Sequence, residues 1–233
     1  MDSFTVSAYK ITSADVINTP LLEYVAKKNQ PVLLSTGMST LEEIDDAVDT
    51  ILRHNDRLVL FHCLSLYPSP EDKLNLNFFD VLKERFSPLP VGYSGHEMDY
   101  LPTLAAVSRG ASIVERHLTL DKTMKGSDHA ASLEPQQFKE LVGLVKRVEK
   151  ILGRPEKILY DELMPLREKL AKGVVARVFI PKGETIREEM LTVKGPGIGI
   201  KPYQLKDVVG RVALSDIQED THFPVEALSW PRH

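Results

Sequence analysis

The sequence predicts an α/β protein with a parallel sheet in its first two thirds, followed along the chain by a small β-rich domain. Five short apolar runs, rich in β-branched residues, alternate with helical patterns in the way that parallel sheets require. Polar residues lie at the end of each run, and parallel sheets carry their functional groups at these carboxyl ends. After Gly153 the alternation stops and turn-forming residues become frequent, which indicates a second domain.

Each strand prediction rests on an apolar run, and each helix prediction on an apolar face of period 3.6. The predicted strands are residues 8–11, 31–34, 58–61, 90–93 and 112–114, and the predicted helices are residues 18–28, 41–53, 78–86, 101–109 and 135–152. Thr40 followed by Glu43 has the spacing of a capping box, so the second helix begins at Leu41. The fifth helix has an apolar face and ends at Gly153. That face comprises Phe138, Leu141, Val142, Val145, Val148 and Leu152.

Two architectures fit these five units. A closed (β/α) barrel needs about eight of them, so five would form part of a barrel with roughly three missing. A doubly wound open sheet is the alternative, and periodicity alone does not separate the two. We place the sheet domain at residues 1–153, a charged linker at 154–172 and the second domain at 173–233.

Composition excludes several classes of function. Apolar residues make up 42% and charged residues 27% of the 233 residues, and the net charge is −4 with both signs mixed along the chain. This predicts neither a nucleic-acid surface nor a membrane partner, and no apolar run approaches the length of a membrane span. The single cysteine, Cys63, excludes an internal disulfide and is typical of a reducing cytoplasm, so we expect a cytoplasmic location.

Two histidines end successive predicted strands. His96 and His117 would face one mouth, and two neutral imidazoles with water and substrate oxygens suit Mn²⁺, or less specifically Zn²⁺ or Fe²⁺. The alternative is that each is an ordinary hydrogen-bonded or surface histidine.

A second group of strand-end residues could bind an anion. It consists of Lys10, Ser13, Ser35 and Ser94, whose ammonium and hydroxyl groups suit a phosphate together with a carboxylate. No Walker loop or Rossmann glycine pattern accompanies them, which disfavours a nucleotide. The alternative is a solvated lysine with turn-forming serines.

Three further residues are candidates for sugar binding or proton transfer. Asp15 and Asp128 could serve as acid/base groups or as partners of sugar hydroxyls, although Asp15 could equally cap the following helix. Tyr67 could stack on a sugar or simply pack its loop. Cys63, in an apolar strand, is interpreted as a core residue rather than a nucleophile.

At these residues the chain resembles the sialic acid synthase family. The motifs are Lys-Ile-Thr-Ser-Ala-Asp at 10–15, Leu-Ser-Thr-Gly-Met at 34–38, Tyr-Pro at 67–68, Gly-Tyr-Ser-Gly-His at 92–96, Glu-Arg-His-Leu-Thr-Leu-Asp at 115–121 and Gly-Ser-Asp-His-Ala-Ala-Ser-Leu-Glu-Pro at 126–135. Residues 191–194 resemble the antifreeze-like (SAF) domain that ends these enzymes. The motifs occur in family order over essentially the whole chain.

The resemblance implies a TIM barrel followed by an SAF domain, with a divalent metal, typically Mn²⁺ but also Mg²⁺ or Co²⁺, held by His96 and His117. It implies that Lys10, Ser13, Ser35 and Ser94 contact phosphoenolpyruvate. Ser65 stands where some members have an asparagine with this role. Tyr67 and Asp128 match sugar-binding positions, and Asp15 matches an acidic position near the reacting carbons.

The implied reaction joins phosphoenolpyruvate to an N-acetylated amino sugar. C3 of phosphoenolpyruvate attacks the aldehyde of the open-chain sugar, water adds at C2, and phosphate leaves by C–O cleavage. With N-acetylmannosamine, or its 6-phosphate, the product is N-acetylneuraminate or its 9-phosphate. Legionaminate and pseudaminate synthases share most of these motifs, so the sugar stays open.

Two departures from the family limit this interpretation. The family's opening barrel units, which bring an acidic residue near the metal and a second phosphate-binding lysine, have no counterpart here. We therefore expect a partial barrel, either poorly active alone or completed by another chain. The resemblance also implies a homodimer with swapped SAF domains, in which an arginine of many bacterial relatives reaches the partner's sugar site. Gly195 stands at that position, with Lys194 beside it.

Two functions of different class follow. The first is a phosphoenolpyruvate-dependent synthase, and the second is a non-catalytic remnant whose SAF domain serves as a binding or assembly module. A Schiff-base aldolase acting on pyruvate is a third option, for which Lys10 is the candidate lysine.

Overall fold

The computed structural model describes residues 6–228 and divides the chain into two compact units, Met1–Arg154 and Pro155–His233. The ends of the two predicted domains, residues 1–5 and 229–233, lie outside the described residues. The first unit contains every residue predicted to carry chemistry.

The first unit repeats strand and helix five times. Its strands are β1 (Tyr9–Ile11), β2 (Val32–Ser35), β3 (Leu58–Cys63), β4 (Val91–Gly95) and β5 (Val114–Arg116). Its helices are α1 (Thr19–Ala26), α2 (Leu41–Leu52), α3 (Phe78–Arg85), α4 (Leu101–Ser108) and α5 (Pro135–Leu152). The predicted capping box is confirmed, because the Thr40 hydroxyl accepts the Glu43 N–H and the Glu43 carboxylate accepts the Thr40 N–H.

Strand order separates the two architectures. The sheet runs β1-β2-β3-β4-β5 and every pair is parallel, so each strand lies beside the next one in sequence. A doubly wound sheet reverses its order at a switch point, whereas a barrel does not. The partial barrel is therefore confirmed and the open sheet is wrong.

The sheet also curls strongly. In a flat sheet the first and fifth strands would lie about 19 Å apart, since neighbouring strands are about 4.8 Å apart. Yet Lys10 on β1 and Glu115 on β5 form an ion pair of 3.3 Å between Nζ and Oε2. The two outer strands must bend toward one another for these side chains to meet, as they do in a half-barrel.

Most of the apolar core lies between the helices and the outer face of this sheet. Leu22, Ile44, Ile51 and Leu82 from the helices pack in one cluster with the strand residues Val32, Leu34, Leu58 and Leu60, all of them fully or almost fully buried. This rigid layer fixes the strands whose carboxyl ends carry the polar residues.

The predicted apolar face of α5 is only partly buried. Leu141 is buried, but Val142 and Leu152 are 42% and 51% exposed. The helix packs against α4, and β5 has no further strand on its outer side within residues 6–228. Part of the apolar face of α5 is therefore not covered by the described part of the sheet.

The second unit is small and built around an antiparallel pair. It contains α6 (Met164–Leu170), β6 (Gly173–Ala176), β7 (Leu191–Lys194) and α7 (Leu205–Val208), and β6 pairs with β7. Isolated bridges such as Ile180 with Ile217 extend the β-structure around a core that includes Val174, Ile186 and Phe223. The stretch predicted as a linker, residues 154–172, contains α6. Among the helices of residues 6–228, none has the length and apolar character that crossing a membrane requires.

Candidate active site

The predicted functional residues collect at the carboxyl edge of the half-barrel. Lys10 lies on β1 and Ser13 just after it, Ser35 ends β2, Ser65 follows β3, Ser94 lies on β4, and His96 and His117 directly follow β4 and β5. Because all five strands are parallel, these positions share one edge of the sheet. Of the other predicted residues, Tyr67 and Asp128 lie in loops at the same edge, near the two histidines.

A lysine and two hydroxyls form one part of the site. The Lys10 ammonium donates to Ser35 Oγ at 2.7 Å and lies 5.5 Å above the Phe61 ring. The Ser94 hydroxyl donates to Glu115 Oε1 at 3.1 Å, and the other carboxylate oxygen of Glu115 pairs with Lys10. These contacts gather a cation and two hydroxyls where an incoming anion could take the place of the carboxylate.

Glu115 is a site residue that the sequence reasoning missed. It lies within the Glu-Arg-His motif, and its register partner on β4 is Ser94. Alternation along a strand puts Glu115 on the same face as His117, two residues later, and this was the signal that could have identified it.

The remaining hydroxyls surround Gly37, in the loop after β2. Its N–H donates to Ser13 Oγ at 2.8 Å, and a Cβ at this position would lie 2.5 Å from Ser65 Oγ and 2.9 Å from Cys63 Sγ. Burial raises the pKa of the Cys63 thiol, although nearby serines oppose that rise. Cys63 is thus a buried, protonated thiol at neutral pH, as expected for a core residue.

The two histidines lie side by side at the same mouth. Their ring centroids are 4.9 Å apart with the planes almost perpendicular. His96 is 2% exposed, and its Nδ1–H donates to the Leu64 carbonyl oxygen at 3.0 Å, which leaves a lone pair on Nε2. Burial lowers the pKa of His96, with a smaller contribution from His117, so the imidazole is neutral at physiological pH.

His117 and its neighbours complete this part of the site. Its Nδ1 lies 3.7 Å from Asp128 Oδ2, and the Tyr67 ring contacts both imidazoles, with centroid distances of 4.1 Å to His96 and 5.8 Å to His117. Burial raises the pKa of the Tyr67 hydroxyl, which is therefore protonated and able to donate a hydrogen bond.

The pair fits two nitrogen ligands of a metal ion. A neutral imidazole whose Nδ1–H is bound to a carbonyl is the usual form of a histidine that ligates through Nε2. No group of three or more His, Cys, Asp or Glu side chains within residues 6–228 could hold a metal ion. Water and substrate oxygens would suit the remaining coordination positions.

The Asp15 carboxylate is engaged in hydrogen bonds within its own turn. Its two carboxylate oxygens accept from the Thr12 hydroxyl and the Asn18 amide, both at 3.1 Å, within the turn that follows β1. The alternative that Asp15 caps the next helix is wrong, since the N-cap of α1 is Asn18.

Comparison with known proteins identifies the family. The NeuB family model matches residues 1–157, and the SAF domain model matches residues 171–223. The chain belongs to the NeuB family. The resemblance drawn from the motifs is thereby confirmed for both parts of the chain.

Several relatives of this NeuB-family chain are named as synthases. Human N-acetylneuraminate-9-phosphate synthase is 40% identical over 221 residues, covering 94% of the chain and 62% of that protein. The N,N'-diacetyllegionaminic acid synthase of Legionella pneumophila is 38% identical over 213 residues, covering 89% and 60%. The chain therefore spans about three fifths of the length of these relatives.

A solved structure of the family has the same fold. N-acetylneuraminic acid synthetase from Leptospira borgpetersenii, crystallised with citrate, superposes on 71% of the chain and 57% of its own length. The TM-score is 0.66 and the sequence identity 34%. Manganese, the cytoplasmic location and the domain-swapped dimer stay predictions.

Proposed function

We propose that this NeuB-family chain acts as a synthase. It condenses phosphoenolpyruvate with N-acetylmannosamine, or its 6-phosphate. The products are N-acetylneuraminate, or its 9-phosphate, and phosphate. The observation that carries the proposal is the placement of the Lys10 ammonium and two adjacent imidazoles, those of His96 and His117, at one sheet edge. The relatives, which are named as synthases of such sugar acids, support it.

Lys10 is assigned to the phosphate and carboxylate of phosphoenolpyruvate, together with the hydroxyls of Ser13, Ser35, Ser65 and Ser94. The ammonium supplies a point charge and the hydroxyls supply donors, which is the combination that a phosphate ester needs. A bound anion would compete with the Glu115 carboxylate for the Lys10 ammonium. Developing negative charge on the departing phosphate would be stabilised by the same groups.

His96 and His117 are assigned to a divalent metal, Mn²⁺ in the first instance, with Mg²⁺ or Co²⁺ as substitutes. When bound, such an ion supplies Lewis-acid polarisation of a carbonyl oxygen. The chain's own contribution is to hold both imidazoles side by side and to keep His96 neutral. Burial keeps His96 deprotonated, and the bond to Leu64 directs its Nε2 toward the mouth.

Tyr67, Asp128 and Asp15 are assigned to the amino sugar. Tyr67 covers both imidazoles with its ring, and its protonated hydroxyl can donate to a sugar oxygen. Asp128 is half-exposed beside His117 and can accept from a sugar hydroxyl. Asp15 would have to leave its bonds to Thr12 and Asn18 to act near the reacting carbons.

The protein is further proposed to act in the cytoplasm as a homodimer in which each SAF domain reaches the partner's barrel. In the SAF domain Lys194 is engaged in an ion pair with Asp220. It is therefore not readily available to replace the arginine that many bacterial relatives have at the position of Gly195.

The test is Mn²⁺-dependent release of phosphate from phosphoenolpyruvate in the presence of N-acetylmannosamine, its 6-phosphate or related N-acetylated amino sugars. We expect slow but measurable release by the wild-type chain, and loss of it in His96→Ala and in His117→Ala. The matched control is His54→Ala, an exposed histidine after α2, which should retain full activity.

Each outcome has a defined meaning. Release with a diacetylated sugar alone would assign a legionaminate- or pseudaminate-type synthase, a candidate favoured by the Legionella relative. Absence of release with every sugar would refute the synthase for this chain and favour a non-catalytic module. Full turnover in both active-site variants would refute the metal assignment.

A further inference from the structure

A buried ion pair lies directly behind the two histidines. Glu97 follows His96 in the chain, Arg116 precedes His117, and both side chains are 1% exposed. Arg116 Nη1 donates to Glu97 Oε1 at 2.9 Å. Glu97 and Arg116 lie 19 residues apart in the chain, and no local pattern in the sequence indicates that their charges meet.

Alternation along the strands puts this pair on the opposite face from the site. Ser94 and Glu115 contact each other on the inner face, whereas Arg116 contacts Thr103, a fully buried residue of α4. Each imidazole therefore has one member of the ion pair as its immediate chain neighbour, pointing to the helix layer.

The Arg116 guanidinium also donates hydrogen bonds to two backbone carbonyl oxygens. Arg116 Nη2 donates to the carbonyl oxygen of Glu97, and Nη1 donates to that of Asp99 at 2.9 Å. The last paired residues of the two strands are Gly95 and Arg116, so the ladder ends before His96. Beyond that point Arg116 takes over the connection between the end of β5 and the loop after β4.

The carboxylate is held as firmly. Glu97 Oε1 accepts from the Thr103 hydroxyl as well as from Arg116, and Oε2 accepts from the Tyr93 hydroxyl at 3.1 Å. Gly95 leaves room for it, because a Cβ there would lie 2.7 Å from Glu97 Oε1. These three hydrogen bonds together oppose rotation of the Glu97 side chain.

Stability alone is a poor explanation for the pair. Two buried charges lose their hydration, and well-packed apolar residues often replace such pairs with no loss of stability. Arg116 Nε is moreover a buried donor with no partner among the described residues, which is unfavourable in itself. The arrangement therefore fixes the positions of both side chains, but it stabilises the fold less than fully paired groups would.

We propose that Glu97 and Arg116 are positioning residues, forming a clamp that fixes the backbone on which His96 and His117 are presented. The proposal rests on the metal role assigned to these histidines. Without the clamp, the loop after β4 and the end of β5 are free to separate, and the two imidazoles no longer share one coordination geometry.

The main test compares metal affinity with stability. In Glu97→Met/Arg116→Met, apolar side chains of similar length replace both charges, so the chain should fold with a melting temperature near that of the wild type. Its Kd for Mn²⁺, measured from the electron paramagnetic resonance of free Mn²⁺, should rise about tenfold or more, the usual effect of losing outer-shell support. Unchanged affinity would overturn the proposal.

Milder variants cover the case in which the double variant does not fold. Tyr93→Phe and Thr103→Val each remove one hydroxyl that holds the Glu97 carboxylate, and both preserve volume. Each should weaken Mn²⁺ binding by less than the double variant, and wild-type affinity in both would also overturn the clamp.

The matched control is Asn55→Ala. Asn55 is buried at the opposite edge of the sheet, where it donates to the Gln30 carbonyl and accepts from the Arg57 N–H. This variant should lower stability without changing Mn²⁺ affinity.

A metal-free measurement separates the clamp from the proposed function. Long-range ¹⁵N–¹H spectra report the tautomer of His96, which is protonated on Nδ1 when bonded to Leu64. The clamp predicts mixed tautomers in the double variant and a single tautomer in the wild type and in Asn55→Ala. If the wild type binds no Mn²⁺, or His96→Ala binds it equally well, the metal assignment fails while the spectra still decide the clamp. A single, unchanged tautomer in the double variant refutes the clamp alone.

Discussion

Gly95→Ala tests the packing behind the histidines with the smallest possible change. The new methyl group would lie 2.7 Å from both Glu97 Oε1 and Tyr93 Cε1, about 1 Å inside normal contact. Gly95 has no left-handed backbone angle, so the effect is steric rather than conformational. The carboxylate can make room only by leaving its partners.

The magnitude follows from that displacement. Overpacking a core costs about 1–3 kcal/mol, and disrupting a buried ion pair about 3–5 kcal/mol. We therefore expect a loss of about 3 kcal/mol in the free energy of unfolding. For a unit of this size, 1 kcal/mol shifts the melting temperature by about 2–4 °C, which gives a fall of about 6–12 °C.

The matched control is another glycine-to-alanine change in the same unit. Gly143 lies on α5, and a Cβ added there would have no atom within 4 Å. Alanine should stabilise a helix at such a position by about 0.5–1 kcal/mol. Differential scanning calorimetry of the two variants should give shifts of opposite sign. A melting temperature of Gly95→Ala equal to that of the wild type would refute the reasoning.

Two further predictions concern charge. Lys10→Met should abolish measurable binding of phosphoenolpyruvate in isothermal titration calorimetry while changing stability by no more than about 1 kcal/mol, because its pair with Glu115 is partly exposed. Lys83→Met, which removes an exposed bond from α3, is the control and should bind normally; equal binding by both variants would contradict the anion site. Burial lowers the pKa of His62 in the folded chain, so below about pH 6.5 the unfolded chain binds more protons and stability falls with falling pH. The urea midpoint should decline less between pH 7 and pH 5 in His62→Gln than in the wild type, and parallel declines would exclude this histidine as a cause.

Local sequence was sufficient for most of the elements. The alternation of apolar runs with helical patterns located all five strands and five helices of the first unit, and Thr40 with Glu43 marked the start of α2. Caps and periodicities depend on residues within one or two turns, so they can be read without knowing the fold. The family motifs also placed Lys10 and the two histidines correctly at strand ends.

Tertiary structure decided which of those ends meet. Strand order and curl bring β1 to β5, which pairs Lys10 with Glu115, and the register of β4 with β5 brings Glu97 to Arg116. Such contacts depend on the arrangement of whole strands, which periodicity does not encode. The exposure of α5 has the same origin, because an apolar face becomes buried only where another element covers it. The sequence by itself therefore determined the elements, the family and the chemical groups, while the curled sheet decided how those groups are combined and held.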